Sequence, residues 1–597
     1  MPKPRSKKKV HKAVSMREAF VNIVPKANSK KGAKVRKEFP VRDFFWNYPE
    51  NLSKLLKLTS PLSTILLFCL VGFGLFTFLR SNILAEKVSS RESTTYVEGR
   101  IGAISTFNPL FSNQNDVDKA VQKLVFEKFV NINSNGDILP GIAYNWEISE
   151  GNKVYQFDID LNHSWSDGVP LTIEDVYFTF DSAIKLSEEH GYDTVGSGFT
   201  TVKIEVVDSD TIKFTLPRSN VMFPELASIY IVPQHILEIV PLAEMPFDRF
   251  SRNPVGSGPY KVYRSEPNIV SLQESGHFTS KVNIPNVVLR VYSNIDGLES
   301  AFRNGLLDAA LLPNDESADF VNEYSSYNIN AVSLPYRERV LFFNLRKEKF
   351  QNSPLRKGVS LLIDKEGLLE RSGINGTVAD GPICDCSWAY AGDIDFPKYN
   401  PEKAKEFLKE AGYTKNESNG YFETEDKKLL TFTVSYLKNN ANDNLLNTMA
   451  LMLTEEGVIM NLEPLTYPQL TQEILATRNF EVLMYEIEVT VDPDQYNLWH
   501  SSEKEYPNLN LSGYEFSRVD ILLEEGKRET ERTERKKDYS LFQKYLVNDT
   551  PAIFLYRPSY LYVARDSISG INFDEIIRLE DLYKDIYNWT FGAKRGI

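Results

Sequence analysis

Apolar and polar side chains alternate strictly at Tyr155, Phe157, Ile159 and Leu161, and again at Ile212, Phe214 and Leu216, which predicts two half-buried strands. A helical spacing interrupts them. Thr172 and Asp175 have the separation of a capping box, and Val176, Phe180 and Ile184 recur every four residues behind it. A second helix has Asn400 as cap, Pro401 in the first turn, Ala404, Phe407, Leu408 and Ala411 as its apolar stripe, and Gly412 as its stop. Tyr539, Phe542 and Leu546 form a third stripe, followed by Pro551 and a short apolar strand at 552–556. Such mixing predicts α/β or mixed α+β lobes, and no internal repeat of about 20–50 residues breaks the pattern.

One stretch has no periodicity at all. Residues 58–79, between Lys57 and Arg80, carry no charge over 22 positions, long enough at about 1.5 Å per residue to cross a hydrocarbon core of about 30 Å. The 57 residues before it are too many, and the apolar run too long, for a secretory signal peptide. Leu67 and Phe68 precede Cys69 where a lipoprotein processing site needs small residues, so the stretch reads as an uncleaved signal anchor.

Charge divides at the same place. Of 68 Lys+Arg and 81 Asp+Glu in 597 residues, positions 1–57 hold 16 bases and four acids, so the net −13 is the sum of +12 and −25. Basic residues stay on the cytoplasmic side of a span, which places 1–57 inside and 80–597 outside. The tail reads as a topology determinant, with electrostatic binding of anionic lipid or RNA as the alternative. Nucleic-acid binding by the acidic body is disfavoured. Residues 80–95 read as a juxtamembrane linker, and folding is expected to begin near Tyr96.

Catalytic patterns are absent. The six histidines include no H-x-x-x-H pair, G-x-S-x-G does not occur, and there is no phosphate loop of the form G-x-x-x-x-G-K-[ST]. Asp492/Asp494 and Glu486/Glu488 are spaced as glycosidase pairs sometimes are, but chance spacing accounts for them in so acidic a chain. Cys384 and Cys386 lack a His or third Cys for a closed zinc site and are expected as free thiols. No metal, cofactor or catalytic residue is assigned, and the chain is not expected to be an enzyme.

A series of motifs runs in order through residues 96–572. It begins with Phe107-Asn108-Pro109-Leu110 and Val125-Phe126-Glu127, then Asp137 to Ala143 with Trp146-Glu147. The most specific are Trp165-Ser166-Asp167-Gly168-Val169-Pro170-Leu171-Thr172 and Pro254-Val255-Gly256-Ser257-Gly258-Pro259-Tyr260. Phe302, Gly305 and Asp308 follow, then Arg356 to Asp364, Asp492-Pro493-Asp494, Asn510, Gly513-Tyr514, Asp520 and Asp549-Thr550-Pro551. The series resembles the solute-binding proteins of ABC importers, family 5, the oligopeptide- and dipeptide-binding type. Most of it reads as scaffold: Gly168 permits positive φ in a tight turn, and Gly256 and Gly258 permit close backbone approach.

The resemblance implies an α/β, two-lobed periplasmic-binding-protein-like fold of type II with an extra subdomain. Lobe I would take 96–338 plus 556–597, with 127–216 as the extra subdomain, and lobe II 339–555. The crossings would fall near 340–344 and 552–556, and ligand would be trapped between the lobes by hinge closure. In peptide-binding members an aspartate of the region matching Asp492-Pro493-Asp494 pairs with the ligand's α-ammonium. Asp492 aligns best, Asp494 is the second candidate, and the strand 480–488, which carries Tyr485, delivers the loop. Glu486, Glu488 and Asp494 suggest an acidic cleft favouring a cationic ligand. Trp388 and Trp499 are further candidates for ligand contact, with core packing the alternative for both. The implied function is capture of peptides by a membrane-anchored extracytoplasmic receptor that delivers them to an ABC permease. A sensor of the same fold, and a binder of oligosaccharide or metal chelate, are the alternatives.

Overall fold

The computed structural model describes residues 94–112, 115–313 and 319–592. The basic tail 1–57, the apolar stretch 58–79 and all but the last two residues of the linker lie outside them. Among the described residues no helix is long and apolar enough to cross a membrane.

The alternating segments form strands. Val154–Ile159 pairs antiparallel with Ala143–Ser149 on one edge and Thr211–Thr215 on the other, and Lys203–Val206 completes a four-stranded sheet. Tyr155, Phe157, Ile159, Ile212 and Phe214 share one core with Phe129, Phe180 and Phe223. Leu161, expected on the same face, lies beyond the strand and is exposed. Asn162 N–H donates to Asp160 Oδ1 at 3.0 Å and turns the chain before the alternation can continue.

Helix Ile173–His190 begins with the expected capping box, Asp175 Oδ2 accepting from Thr172 N–H at 2.9 Å. The same carboxylate accepts the indole N–H of fully buried Trp165 at 3.2 Å. Gly168 has φ +91°, a conformation an L side chain resists. Ser166 N–H donates to Gly256 C=O at 2.8 Å, so the two most specific sequence motifs abut. A Cβ on Gly256 would stand 2.0 Å from the Val125 carbonyl oxygen, so only glycine permits the approach. Farther along, Asn400 caps Pro401–Glu410 by accepting from Lys403 N–H at 3.0 Å, and Gly412 has φ +91°.

A twelve-stranded sheet organises the rest. Its spine is Ala552–Arg565. Residues 552–558 pair with Arg337–Phe343 and Gly376–Val378, whereas 559–565 pair with Ala309–Pro313 and Tyr327–Ser333. Beyond Arg337–Phe343 come Val482–Glu488, Thr431–Leu437 and Ile459–Leu465; beyond Ala309–Pro313 come Thr95–Ile101, Asn286–Tyr292, Ile269–Glu274 and Tyr260–Glu266. Separate apolar cores flank the two ends, one around Leu124, Leu289 and Trp589, another around Phe343, Leu408 and Leu446. A buried Glu98–Arg100 pair, 2.7 Å apart and joined by Tyr583 Oη, ties the C-terminal segment to the first strand.

Cys384 and Cys386 form a disulfide, which corrects the expectation of free thiols. A turn closed by Ser387 N–H to Cys384 C=O at 2.9 Å brings their Cα atoms to 5.1 Å, within the reach of such a bond.

Candidate functional site

Charged residues two apart on an apolar strand meet opposite charges two apart on its neighbour. Arg337–Phe343 pairs antiparallel with Val482–Glu488 in a register that sets Arg337 opposite Glu488 and Arg339 opposite Glu486. Arg339 Nη2 lies 3.0 Å from Glu486 Oε2, and Arg337 Nη2 lies 3.4 Å from Glu488 Oε2. This is the sheet's rule for cross-strand pairs applied twice.

Three other chain segments close on that end of the strand pair. Asp116 opens helix Asp116–Val125, capped by Asn115, and binds Arg337 through both carboxylate oxygens at 2.9 and 3.1 Å. One turn on, Lys119 Nζ reaches Glu488 Oε2 at 3.1 Å. Arg578, brought in by the C-terminal segment, lies 3.3 Å from Glu488 and 3.9 Å from Glu225. Glu225, on the short helix Phe223–Leu226, accepts the backbone N–H of Val491 at 2.9 Å and of Asp492 at 3.0 Å. Lys119, Arg337, Arg339 and Arg578 thus interleave with Asp116, Glu225, Glu486 and Glu488.

The electrostatics follow from that packing. Burial raises the Glu488 carboxyl, but Lys119, Arg337 and Arg578 outweigh it and hold the group below its usual range. Burial likewise raises Asp116, and Arg337 reverses the sign. Glu225 goes the other way, because burial exceeds the opposing pull of Arg578. The anticipated acidic cleft is therefore corrected: Glu488 is neutralised from both sides by Lys119, Arg337 and Arg578, and Glu486 by Arg339 and Arg337 of the neighbouring strand.

Asp492 sits beside this network and has a partner of its own. Arg535 Nη2 donates to its Oδ1 at 2.7 Å, with the two side chains 6% and 14% exposed. The guanidinium stands over Trp388, 5.3 Å from the ring centre, while Arg532 covers the same ring at 5.5 Å. Asp492 and Trp388 are thus brought together through Arg535. Asp494 is close by, its carboxylate 3.5 Å from Lys527 Nζ and its pKa raised by burial. Tyr485 is half-buried on Val482–Glu488, and burial, then Tyr467 and Glu486, raise its phenol. Trp499 is not part of this arrangement. It is fully buried among Phe342, Tyr514 and Phe554 and packs the core, which corrects its place as a ligand-contact candidate.

Seven residues of this arrangement escape sequence reasoning: Asp116, Lys119, Glu225, Arg337, Arg339, Arg535 and Arg578. The only available signal is Arg337 and Arg339 at the start of an apolar strand, matched by Glu486 and Glu488 at the end of another. Among the described residues no group of three His, Cys, Asp or Glu is placed to hold a metal ion.

Known proteins share this architecture. The chain is 25% identical over 527 residues to the oligopeptide-binding protein AppA of Bacillus subtilis, covering 85% of this chain and 93% of that one. The solved structure of B. subtilis AppA in complex with a nonapeptide superposes with a TM-score of 0.71 at 23% identity, over 84% of this chain and 99% of that one. NikZ from Campylobacter jejuni in complex with Ni(L-His) also gives a TM-score of 0.71, at 24% identity over 84% of this chain and 100% of that one. The family model for bacterial extracellular solute-binding proteins, family 5 (middle), matches residues 137–507, and the chain belongs to that family of two-lobed α/β binding proteins.

Proposed function

We propose that this protein captures peptides between its two lobes and delivers them to an ABC permease, and that it is anchored in the cell membrane through residues 58–79. Its N-terminus would be cytoplasmic and its binding domain extracytoplasmic, as the basic residues of 1–57 and the acidic body suggest. Lobe I takes 96–338 plus 556–597, with 127–216 as its subdomain, and lobe II takes 339–555. The change of partners along Ala552–Arg565 supports these limits.

One observation carries the peptide reading: four cations, Lys119, Arg337, Arg339 and Arg578, interleave with four carboxylates, Asp116, Glu225, Glu486 and Glu488, where the segments holding Asp116, Glu225 and Arg578 meet the strands Arg337–Phe343 and Val482–Glu488. A peptide is a zwitterion. Its α-ammonium can compete with Lys119 or Arg578 for Glu488, and its carboxylate can compete with Asp116 for Arg337, without changing the net charge of the cluster. Asp492 and Asp494 contribute through the loop they occupy, and Trp388 and Tyr485 supply apolar contact beside it. The likeness to an oligopeptide-binding protein over 93% of its length supports the same class.

Peptide pools should raise the unfolding temperature of the full-length protein, because a ligand that binds the folded state stabilises it by mass action. Stabilisation by nickel chelates or oligosaccharides and not by peptides would remove the peptide reading and keep the binding role. Ligand-dependent partners of residues 1–57, with no permease engaged, would favour a sensor. Carbonate-resistant membrane association, lost on deleting 58–79, tests the anchor.

A further inference from the structure

A cavity in the C-terminal half of the chain lies away from the charged network. It has a volume of about 640 Å³ and is walled by helices Ser353–Leu361, Pro401–Glu410 and Arg532–Asp549 and by the loop 393–400. All of its lining falls within 357–550, the half of the chain assigned to one lobe. Its size is that of small-molecule sites, which run from about 300 to 1,000 Å³.

The walls are held firmly. Gly358 lets two of the helices meet, since a Cβ there would stand 2.6 Å from Leu408 Cγ. Phe396 is buried against Tyr390, with ring centres 5.6 Å apart, and Tyr399 Oη donates to Glu456 at 2.5 Å. Leu361, Phe396, Phe407 and Tyr545 give the interior its apolar surface.

The charge around it is opposite to that of the body. Lys357, Lys398, Lys403 and Lys544 line the pocket against Asp393 and Asp395, in a chain whose residues beyond 57 sum to −25. None of the four lysines has a carboxylate within ion-pair distance among the described residues; Lys357 instead stands over the Phe407 ring at 5.6 Å. Lys403 and Lys544 come from different helices. Unpaired ammonium groups around an apolar hollow are complementary to an anion with an apolar body.

We infer that this pocket is a second ligand site, separate from the interlobe network, which takes a small organic carboxylate with an aromatic or branched apolar body. The lysines hold the carboxylate and the apolar walls hold the body. Helix Arg532–Asp549 joins the two sites: Arg535 and Tyr539 lie at Asp492, and Leu541, Lys544 and Tyr545 at the pocket.

The test is calorimetric titration of the full-length protein with 2-naphthoate, with 2-naphthamide and 2-naphthylmethylammonium as neutral and cationic counterparts. Naphthoate is expected to bind more tightly than either. Lys403→Glu with Lys544→Glu, both exposed positions, should weaken it by about tenfold or more and reverse the order of anion and cation. Leu541→Trp, at an exposed helix position, should weaken all three by occupying the space. Glu488→Gln, in the interlobe network, should leave naphthoate affinity unchanged. Absence of naphthoate binding, equal binding of the three probes, indifference to the lysine reversals, or sensitivity to Glu488→Gln in their place would each overturn the assignment.

Discussion

Arg535 binds Asp492 across 43 positions of sequence, Nη2 to Oδ1 at 2.7 Å, and its guanidinium is roofed by the Trp388 ring. The aspartate that the family resemblance offers as an anchor for a ligand ammonium therefore already has a cation. Removing one partner of a pair this enclosed strands the other, at about 3–5 kcal/mol. Arg535→Met should lower stability by about 3 kcal/mol in urea unfolding. Adding Asp492→Asn should recover part of that loss, a coupling of about 1–3 kcal/mol. Additive effects in the double variant would show that Arg535 and Asp492 are not coupled.

Local signals in the sequence survive into the structure, and long-range ones do not. Thr172 with Asp175, Asn400 with Pro401, and Gly168 each act within a few residues of themselves, so spacing alone reveals them. The order of the family motifs made the two-lobed fold legible for the same reason. Arg337 and Asp116 are 221 positions apart, and Lys119 and Glu488 are 369 apart, so nothing in either neighbourhood announces the other. Trp388 and Trp499 illustrate the limit well. One lies in a turn and the other ends the short helix Tyr496–Trp499, and only packing decides that Trp388 roofs Arg535 while Trp499 fills a core.

Close backbone approach at Gly256 gives a sharper prediction than most core positions. A methyl group there would meet Val125 O at 2.0 Å and Val125 Cγ1 at 2.6 Å, so the end of helix Asp116–Val125 and the turn would have to separate. Gly256→Ala should destabilise by about 3 kcal/mol or more, or prevent accumulation of folded protein. Gly198→Ala serves as the comparison: its Cβ would meet nothing within 4 Å, and its change should stay within about 0.5 kcal/mol. Equal effects at the two positions would dismiss the steric account.

Lys365 introduces a dependence on alkaline pH. Its ammonium is buried, donates to Ala379 C=O at 2.7 Å, and is pushed down from 10.5 to about 8 by burial. Between these values the unfolded chain holds the proton and the folded chain does not, so raising the pH favours folding. The stability of the wild type relative to Lys365→Met should therefore be flat below about pH 8 and rise toward pH 10.5, by at most about 1.4 kcal/mol per unit. Denaturant unfolding of both proteins at a series of pH values checks it, and a flat difference across that window would count against it.

At acid pH the charged network around Glu488 should weaken. Glu488 is held below its usual 4.5 by Lys119, Arg337 and Arg578 in spite of burial, and Asp116 is held below 3.8 by Arg337. Near those values the unfolded chain binds more protons than the folded one. The stability these carboxylates contribute is thus complete above about pH 4.5 and is lost as the pH falls through their lowered folded values. Because the Glu488 side chain is 27% exposed and its partners Lys119 and Arg578 are 25% and 29% exposed, solvent screens part of the interaction. Glu488→Gln should consequently cost only about 1 kcal/mol at pH 7. The difference between wild type and variant should then shrink as the pH falls below about 4.5, and added salt at neutral pH should shrink it in the same direction. Thermal unfolding of the two proteins from pH 7 to pH 3 reads this directly. A difference that stays constant over that range would mean that Glu488 is not held by the three cations packed against it.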